Sequence, residues 1–143
     1  MLQEAIDRFI QQVVLPALTK ARGEPRVRAL FAHYLEWIHG RQAEGGCFFM
    51  ALNHEYDDRP GPVRELLVES QRDWLNTVER AARIAVEEGH FRADLDVAQF
   101  AFEFLGVGMA LQQATKLFED PQALKKARGA FDALLARARR GRH

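Results

Sequence analysis

The sequence predicts an all-α protein in which six helices form a single domain over residues 1–143. Apolar residues recur three or four positions apart along almost the whole chain, which is the spacing of one face of an α-helix. No segment of useful length alternates apolar and polar residues with the period of two that a half-buried strand requires. With 143 residues, of which 48% are hydrophobic, the chain is long enough for one domain with a sizeable core.

The first two helices are predicted from their apolar stripes and from the break between them. The first stripe covers residues 2–18, and a kink or break is expected at Pro16 because proline lacks the N–H that an α-helix needs. A Gly-Glu-Pro turn at residues 23–25 ends this segment and starts a second helix, whose stripe covers residues 27–38.

The third and fourth helices follow two glycines. Residues 47–52 are apolar on every side, which predicts a short helix that is buried all round. Pro62 suits the first position of a long fourth helix that ends near Glu88. Gly89 then suits the left-handed residue that closes such a helix.

The last two helices have recognisable starts. Asp96 and Gln99 form an Asp-x-x-Gln capping box, which predicts the start of a fifth helix that ends near Phe118. Asp120 followed by Pro121 predicts the start of a sixth helix. The arginine-rich tail after this helix is expected to complement the helix dipole and then to fray.

The predicted fifth helix is apolar on two faces. One face can pack on the core of the domain, and the other needs either a neighbouring helix in the same monomer or a second subunit. Its glycine and alanine residues would let another helix approach closely. We therefore expect the last two helices to meet their symmetry mates in a four-helix bundle. The predicted dimer contacts are Gly106, Met109, Ala110, Gln113, Leu124, Phe131 and Leu135.

Composition excludes several classes of protein. The chain has 20 basic and 20 acidic residues, and this balance argues against a free-standing nucleic-acid binder. The lone Cys47 forms neither an intrachain disulfide nor a Cys-ligated structural zinc site, and no secretory leader is recognisable, so we expect a cytoplasmic protein. The longest apolar stretch, residues 100–111, is interrupted by Glu103 and is too short to span a membrane.

Catalytic and metal-binding patterns are poor. The five histidines show no His-Glu-x-x-His motif, and none lies four residues from another. His54 and Glu55 are adjacent, but adjacent residues of a helix point about 100° apart and do not form a dyad. We therefore expect no catalytic residue, no metal site and no cofactor.

Aromatic residues supply the candidate ligand site. The 10 Phe, two Trp and two Tyr residues fall largely on core-facing stripes, and polar side chains occur among them. These residues alone leave open whether they surround a cavity or fill a solid core. A cavity would be expected to take a small apolar or aromatic effector. Its predicted lining residues are Tyr34, Met50, Asn53, His54, Trp74, Phe104 and Gln112.

The chain resembles the C-terminal ligand-binding and dimerisation domain of TetR-family transcriptional regulators. Gly-Gly-Cys at residues 45–47 and the segment EYDDRPGPVR at residues 55–64 resemble the joint between the family's sixth and seventh helices. The segment EEGHFRADLD at residues 87–96 resembles the link into its eighth helix, and the last two helices resemble the pair that builds the dimer. The resemblance covers nearly the whole chain.

This resemblance implies that an N-terminal DNA-binding domain is missing and that effector binding controls DNA binding. Members normally begin with a helix-turn-helix domain, and none precedes Met1, so we expect a truncated or headless relative that contacts operator DNA only through an N-terminal domain missing here. The resemblance also implies that an effector enters among helices two to five. Its binding would shift the dimer geometry and thereby the spacing of the DNA-reading heads.

The sequence therefore predicts the effector-binding and homodimerising domain of a TetR-like repressor, and not an enzyme. One alternative is a small helical-bundle enzyme or cofactor carrier, which would need converging titratable groups. Another alternative is a dimeric scaffold with a solid core, which would keep the interface and lose the pocket.

Overall fold

A computed structural model describes residues 2–39 and 61–139 and confirms the all-α class, since these residues contain no strand. The short helix predicted at residues 47–52 lies outside the described residues. The elements are α1 (Leu2–Phe9), a π-helical turn (Ile10–Val14), α2 (Leu15–Leu18), α3 (Glu24–His39), α4 (Pro62–Glu87), α5 (Val97–Lys116) and α6 (Ala123–Ala138).

The expected break in the first helix is a π-helical turn. In a regular α-helix the ring of Pro16 would collide with the carbonyl of Gln12. Because proline has no N–H, this carbonyl would also lack its hydrogen-bond donor. The π turn occupies the five residues that end two positions before the proline, and the N–H of Leu15 donates to the carbonyl of Ile10. This wider turn changes the hydrogen-bond register ahead of the proline, so that the helix continues as α2 instead of ending.

The ends of α4 agree with the prediction. Pro62 is its first residue, and Gly89, with φ of +81°, follows its last turn. The N–H of His90 donates to the carbonyl of Ala85 at 2.9 Å, and the N–H of Gly89 donates to the carbonyl of Val86 at 3.0 Å. These two bonds form the Schellman motif, which satisfies the last carbonyls of the helix.

The starts of α5 and α6 differ in part from the prediction. Asp96 caps α5 by accepting a hydrogen bond from the N–H of Gln99 at 3.1 Å, but the Gln99 amide donates to Glu103 and does not complete the capping box. α6 begins at Ala123, two residues later than predicted. The reason is a turn in which the Asp120 carboxylate accepts from the N–H of Gln122 at 2.8 Å.

α5 lies at the centre of the bundle, where it packs against α3, α4 and α6. Phe104 is completely buried on its inner face. Its ring centroid lies 5.3 Å from that of Phe31 on α3, 5.9 Å from that of Trp74 on α4 and 5.8 Å from that of Phe131 on α6. The rings of Phe31 and Phe131 stack at 3.7 Å. One residue of α5 thus connects the three helices around it.

Glu24 ties the start of α3 to the end of α6. Its carboxylate accepts two hydrogen bonds from Arg139, at 2.9 and 2.6 Å, and one from Arg28 at 2.9 Å. The hydrogen bonds from Arg139, opposed in part by desolvation, lower the pKa of Glu24 from 4.5 to about 2, and Arg28 adds a further lowering. The expectation that the tail frays is therefore wrong at Arg139, because a largely buried carboxylate holds its guanidinium group.

Candidate functional site

A cavity of about 230 Å³ lies between the first helix, α3, α4 and α5. Its wall is mostly apolar, and a few polar groups project from α3, α4 and α5. The partly exposed side chains of Ile10 and Met109 connect this wall to the protein surface. The lining residues are Ile6, Phe9, Ile10, Val14, Tyr34, Trp37, Ile38, Ser70, Gln71, Asp73, Trp74, Thr77, Leu105, Gly108, Met109 and Gln112.

Four aromatic side chains line the cavity, and Phe9 contacts the other three. Its ring centroid lies 6.3 Å from that of Tyr34, 5.4 Å from that of Trp37 and 5.0 Å from that of Trp74. Each of these pairs is nearly perpendicular, which is a favourable arrangement for aromatic quadrupoles. The cluster holds the first helix against α3 and α4 and gives the cavity an aromatic wall.

Tyr34 connects the cavity to α5. A Cβ atom added to Gly108 would overlap the Tyr34 ring, so glycine at this position lets α5 approach the tyrosine closely. Burial raises the pKa of the Tyr34 hydroxyl to about 12, and the nearby Trp74 indole lowers it by a smaller amount. The phenol therefore stays neutral at physiological pH and is able to donate a hydrogen bond.

α4 presents a row of oxygen atoms to the cavity. The hydroxyl of Ser70 donates to the carbonyl of Leu67 at 2.8 Å, and the hydroxyl of Thr77 donates to the carbonyl of Asp73 at 2.8 Å. Because both protons are used within the helix, each hydroxyl offers a ligand its lone pairs. Asp73 is the only charged side chain among the described lining residues; it is exposed to solvent and also lines a groove on the outside of α4. This part of the wall is therefore rich in acceptors and carries negative charge.

The structure brings three of the seven predicted pocket residues to the cavity. Tyr34, Trp74 and Gln112 lie on its wall, and Gln112 is buried. Phe104 lies behind the wall instead of on it, because its ring fills the centre of the core. The other three residues, Met50, Asn53 and His54, lie outside the described residues. A role in ligand binding stays a prediction for all seven.

Sequence reasoning missed several lining residues. Phe9 and Trp37 belong to helical apolar stripes, and nothing in such a stripe separates a core residue from a cavity residue. Asp73 precedes Trp74 beside the buried stripe of α4 and is exposed, as acidic residues usually are. A signal was present in the spacing of Ser70, Asp73 and Thr77, which recur at three and four residues and so share one side of a helix.

The outer face of α5 is exposed in the protomer. Of its apolar residues, Phe102 is 71% exposed, Met109 49% and Leu117 66%. Next to it, α5 and α6 form a groove of about 640 Å³, and half of its lining residues are small. These are Gly106, Ala110, Ala114, Ala123, Ala127, Ala130 and Ala133. Three charged residues also line the groove, and its small residues leave room for another helix to approach.

The predicted dimer contacts divide between this face and the core. Gly106, Met109, Ala110 and Gln113 are exposed on α5, and Leu124 is half-buried on α6. Phe131 and Leu135 are instead buried within the protomer, at 4% and 0% exposure. The reason is that α6 uses its one stripe of large apolar residues to pack on its own core. Phe102, absent from the predicted contacts, is the most exposed aromatic side chain of α5.

The described part of the chain has neither a metal-binding cluster nor a membrane-spanning helix. No three His, Cys, Asp or Glu side chains of residues 2–39 and 61–139 come together as they would around a metal ion. None of the helices described is both long and apolar enough to cross a membrane.

Comparison with known proteins identifies the family. The family profile described as "Tetracyclin repressor-like, C-terminal domain" matches residues 23–131. The crystal structure of AibR in complex with isovaleryl coenzyme A and operator DNA has the same fold, with a TM-score of 0.75 and 21% sequence identity. The alignment covers 93% of this chain and 70% of that chain. Curated protein sequences give no match. The matched profile covers most of the chain, and the chain therefore belongs to the family of tetracyclin repressor-like C-terminal domains.

Proposed function

We propose that this chain is the effector-binding and homodimerising domain of a TetR-type transcriptional repressor. The observation that carries the proposal is the position of α5, which contributes one face to the cavity and exposes the other. Gly108 and Gln112 lie on the cavity wall, whereas Gly106 and Ala110 line the outer groove. A molecule bound in the cavity would therefore contact the helix that is available to a second subunit.

The cavity supports a small effector. A cavity of about 150 Å³ is enough to hold benzene, so the volume of about 230 Å³ leaves room for one substituted ring or a short branched chain. AibR was crystallised with isovaleryl coenzyme A. If this chain took a ligand of that kind, the described cavity would hold the acyl group, and the much larger coenzyme A would extend beyond it. An apolar or aromatic effector agrees with the wall.

The outer face of α5 and the groove beside it support a homodimer. Large exposed apolar residues are costly in a monomer, and small residues between them let two helices approach closely. A second copy placing its own α5 and α6 on this surface would form a four-helix bundle. Such a pairing is self-complementary, as a two-fold axis requires.

Effector binding would act on DNA through the dimer. Met109 lines the cavity and is 49% exposed, so movement of its side chain on ligand binding would reach the dimer surface directly. A ligand that favours one packing of α5 changes the separation of the two protomers and of the DNA-reading domains in the full-length regulator. The zero formal charge of this chain agrees with phosphate contacts made by another domain.

Thermal unfolding with a panel of small apolar and aromatic molecules, with isovaleryl coenzyme A included, tests the effector. A ligand at a hundred times its dissociation constant is expected to add about 2.7 kcal/mol to the free energy of unfolding. Ser70→Phe fills the cavity and should abolish the shift, whereas Asn76→Phe, on an exposed position of the same helix, should keep it. If no molecule stabilises the wild type, or if Ser70→Phe responds equally, the effector proposal fails.

Sedimentation equilibrium tests the dimer. Ala110→Glu places a charge in the groove of α5 and α6 and should give a folded monomer. Ala136→Glu is the matched control, because Ala136 is exposed on α6 and does not line that groove. A wild-type chain that stays monomeric at micromolar concentration would contradict the proposal.

A further inference from the structure

We propose that the cavity takes a protonated amine carried on a single aromatic ring, in preference to a neutral or anionic molecule of the same size. This inference rests on the proposed function, since it names the chemical class of the effector. It follows from three properties of the described wall: its size, its aromatic side chains and the oxygen row on α4.

Size and aromatic lining select the body of the ligand. The volume of about 230 Å³ admits one substituted ring, and the side chains of Phe9, Trp37 and Trp74 offer it apolar contact. Aromatic rings also attract cations through their quadrupoles, by about 0.5–1 kcal/mol at exposed sites and about 2 kcal/mol or more when the cation is desolvated. A ring that carries a positive group is therefore better suited to this wall than an aliphatic chain.

The oxygen row selects the polar group. Ser70, Asp73 and Thr77 lie on one side of α4, and the protons of both hydroxyls are already donated to helix carbonyls. What these three residues offer a ligand is a set of lone pairs and one carboxylate, which is exposed to solvent. An ammonium group has three donors and no acceptor, so it matches these atoms in both hydrogen bonding and charge.

The competing occupant is an aromatic carboxylate. The Tyr34 hydroxyl is a neutral donor, and the Trp74 N–H and the side-chain amides of Gln71 and Gln112 also lie on the wall. These donors would suit an anion. No Lys, Arg or His belongs to the described lining, however, so an anion would meet the Asp73 charge without compensation from any described lining residue.

Isothermal titration at pH 7 with three matched probes tests the inference: 2-phenylethylamine, 2-phenylethanol and phenylacetate. The amine is expected to bind at least about fivefold more tightly than the alcohol, which corresponds to about 1 kcal/mol of charge-dependent attraction. Phenylacetate is expected to bind most weakly. Equal or tighter binding of the alcohol or of phenylacetate overturns the inference.

Two variants test whether Asp73 causes the preference for the amine over the alcohol. Asp73→Asn should reduce the preference for the amine over the alcohol, leaving the part that the aromatic rings and the two hydroxyls contribute, while it changes alcohol binding less than about twofold. Asp132→Asn removes an exposed carboxylate that lines the α3 and α6 groove and not the cavity, and it should keep the amine preference. An amine preference that is unchanged in Asp73→Asn would also overturn the inference.

The possible results separate this inference from the proposed function. If the alcohol or phenylacetate binds and the amine does not, the cavity is an effector site of a different charge class, and only the amine inference fails. If no probe binds, the amine inference fails, and the wider panel of molecules decides the proposed function.

Discussion

α5 carries a phenylalanine and a glycine on each of its two faces, and the two pairs have opposite surroundings. Phe104 is completely buried, whereas Phe102 is 71% exposed. A Cβ atom on Gly108 would overlap Tyr34, whereas one on Gly106 would have no contact within 4 Å among the described residues. The inner pair serves the packing of the protomer, and the outer pair leaves a surface that a second helix is able to approach. Residue type alone therefore does not tell an internal contact from an intermolecular one.

The largest expected effect separates the two phenylalanines. Phe104→Ala should lower the free energy of unfolding by about 3–5 kcal/mol, because it leaves a cavity where α3, α4 and α6 meet. Phe102→Ala should change the stability of the protomer by less than about 0.5 kcal/mol and weaken self-association instead. Urea unfolding and sedimentation of both variants measure the two quantities. Similar losses of stability would show that the outer face is packed within the protomer.

The two faces of α5 also show which structural features the sequence predicts. The apolar spacing of α5 predicts both faces, because a period of 3.6 residues places Phe104 and Gly108 together and Phe102 and Gly106 together. Local chemistry likewise predicts the cap at Asp96 and the left-handed residue at Gly89. These features depend on neighbours along the chain, which the sequence displays directly.

The candidate site was less predictable because it depends on distant residues. Phe9 and Trp74 are far apart in sequence, and only the packing of the first helix on α4 brings their rings to 5.0 Å. A stripe of apolar residues is the same whether it fills a core or lines a cavity, so the sequence predicts Phe104 on the cavity wall and does not predict Phe9 there. The pair of Glu24 and Arg139 joins residues from opposite ends of the chain, and no local pattern indicates it.

Glu24 anchors α3, which packs against the inner face of α5. Its contribution to the free energy of unfolding should depend on pH. Its pKa is about 2 in the folded protein and near 4.5 when unfolded, so its contribution is complete above about pH 5 and is lost as the pH falls towards 2. Glu24→Gln should cost about 2 kcal/mol at pH 7, less than the full pKa difference implies, because Arg139 is 43% exposed and solvent screens the pair.

Urea unfolding of the wild type and of Glu24→Gln at pH 7 and pH 3 tests this contribution. The difference between the two proteins should shrink at pH 3. Glu79→Gln is the control, since its pair with Arg83 lies within one helix and should contribute less than about 0.5 kcal/mol at either pH. A difference at Glu24 that is constant with pH would mean that the carboxylate charge does not stabilise the fold.

Gly108→Ala tests the inner glycine. Alanine gains about 1 kcal/mol in helix propensity, but its methyl group overlaps the Tyr34 ring, and overpacking of this kind costs about 1–3 kcal/mol. We expect a net loss of about 1 kcal/mol and weaker ligand binding, because the ring has to move towards the cavity. Thermal unfolding and ligand titration measure both effects. A more stable variant with unchanged binding would show that α5 is free to shift away from Tyr34.

Gly106→Ala gives the smallest expected effect, and it has the opposite sign. Its methyl group contacts no other residue in the described part of the chain, so the helix-propensity gain is not offset and the protomer should become more stable by up to about 1 kcal/mol. If a second α5 packs against Gly106, the same methyl group separates the helices and weakens the dimer. Unfolding measured at low concentration, where monomers prevail, should therefore show stabilisation, and sedimentation should show a larger dissociation constant. Stabilisation together with unchanged association would place the dimer contact elsewhere on α5, away from its glycine, whereas destabilisation of the monomer would contradict the open surroundings of Gly106.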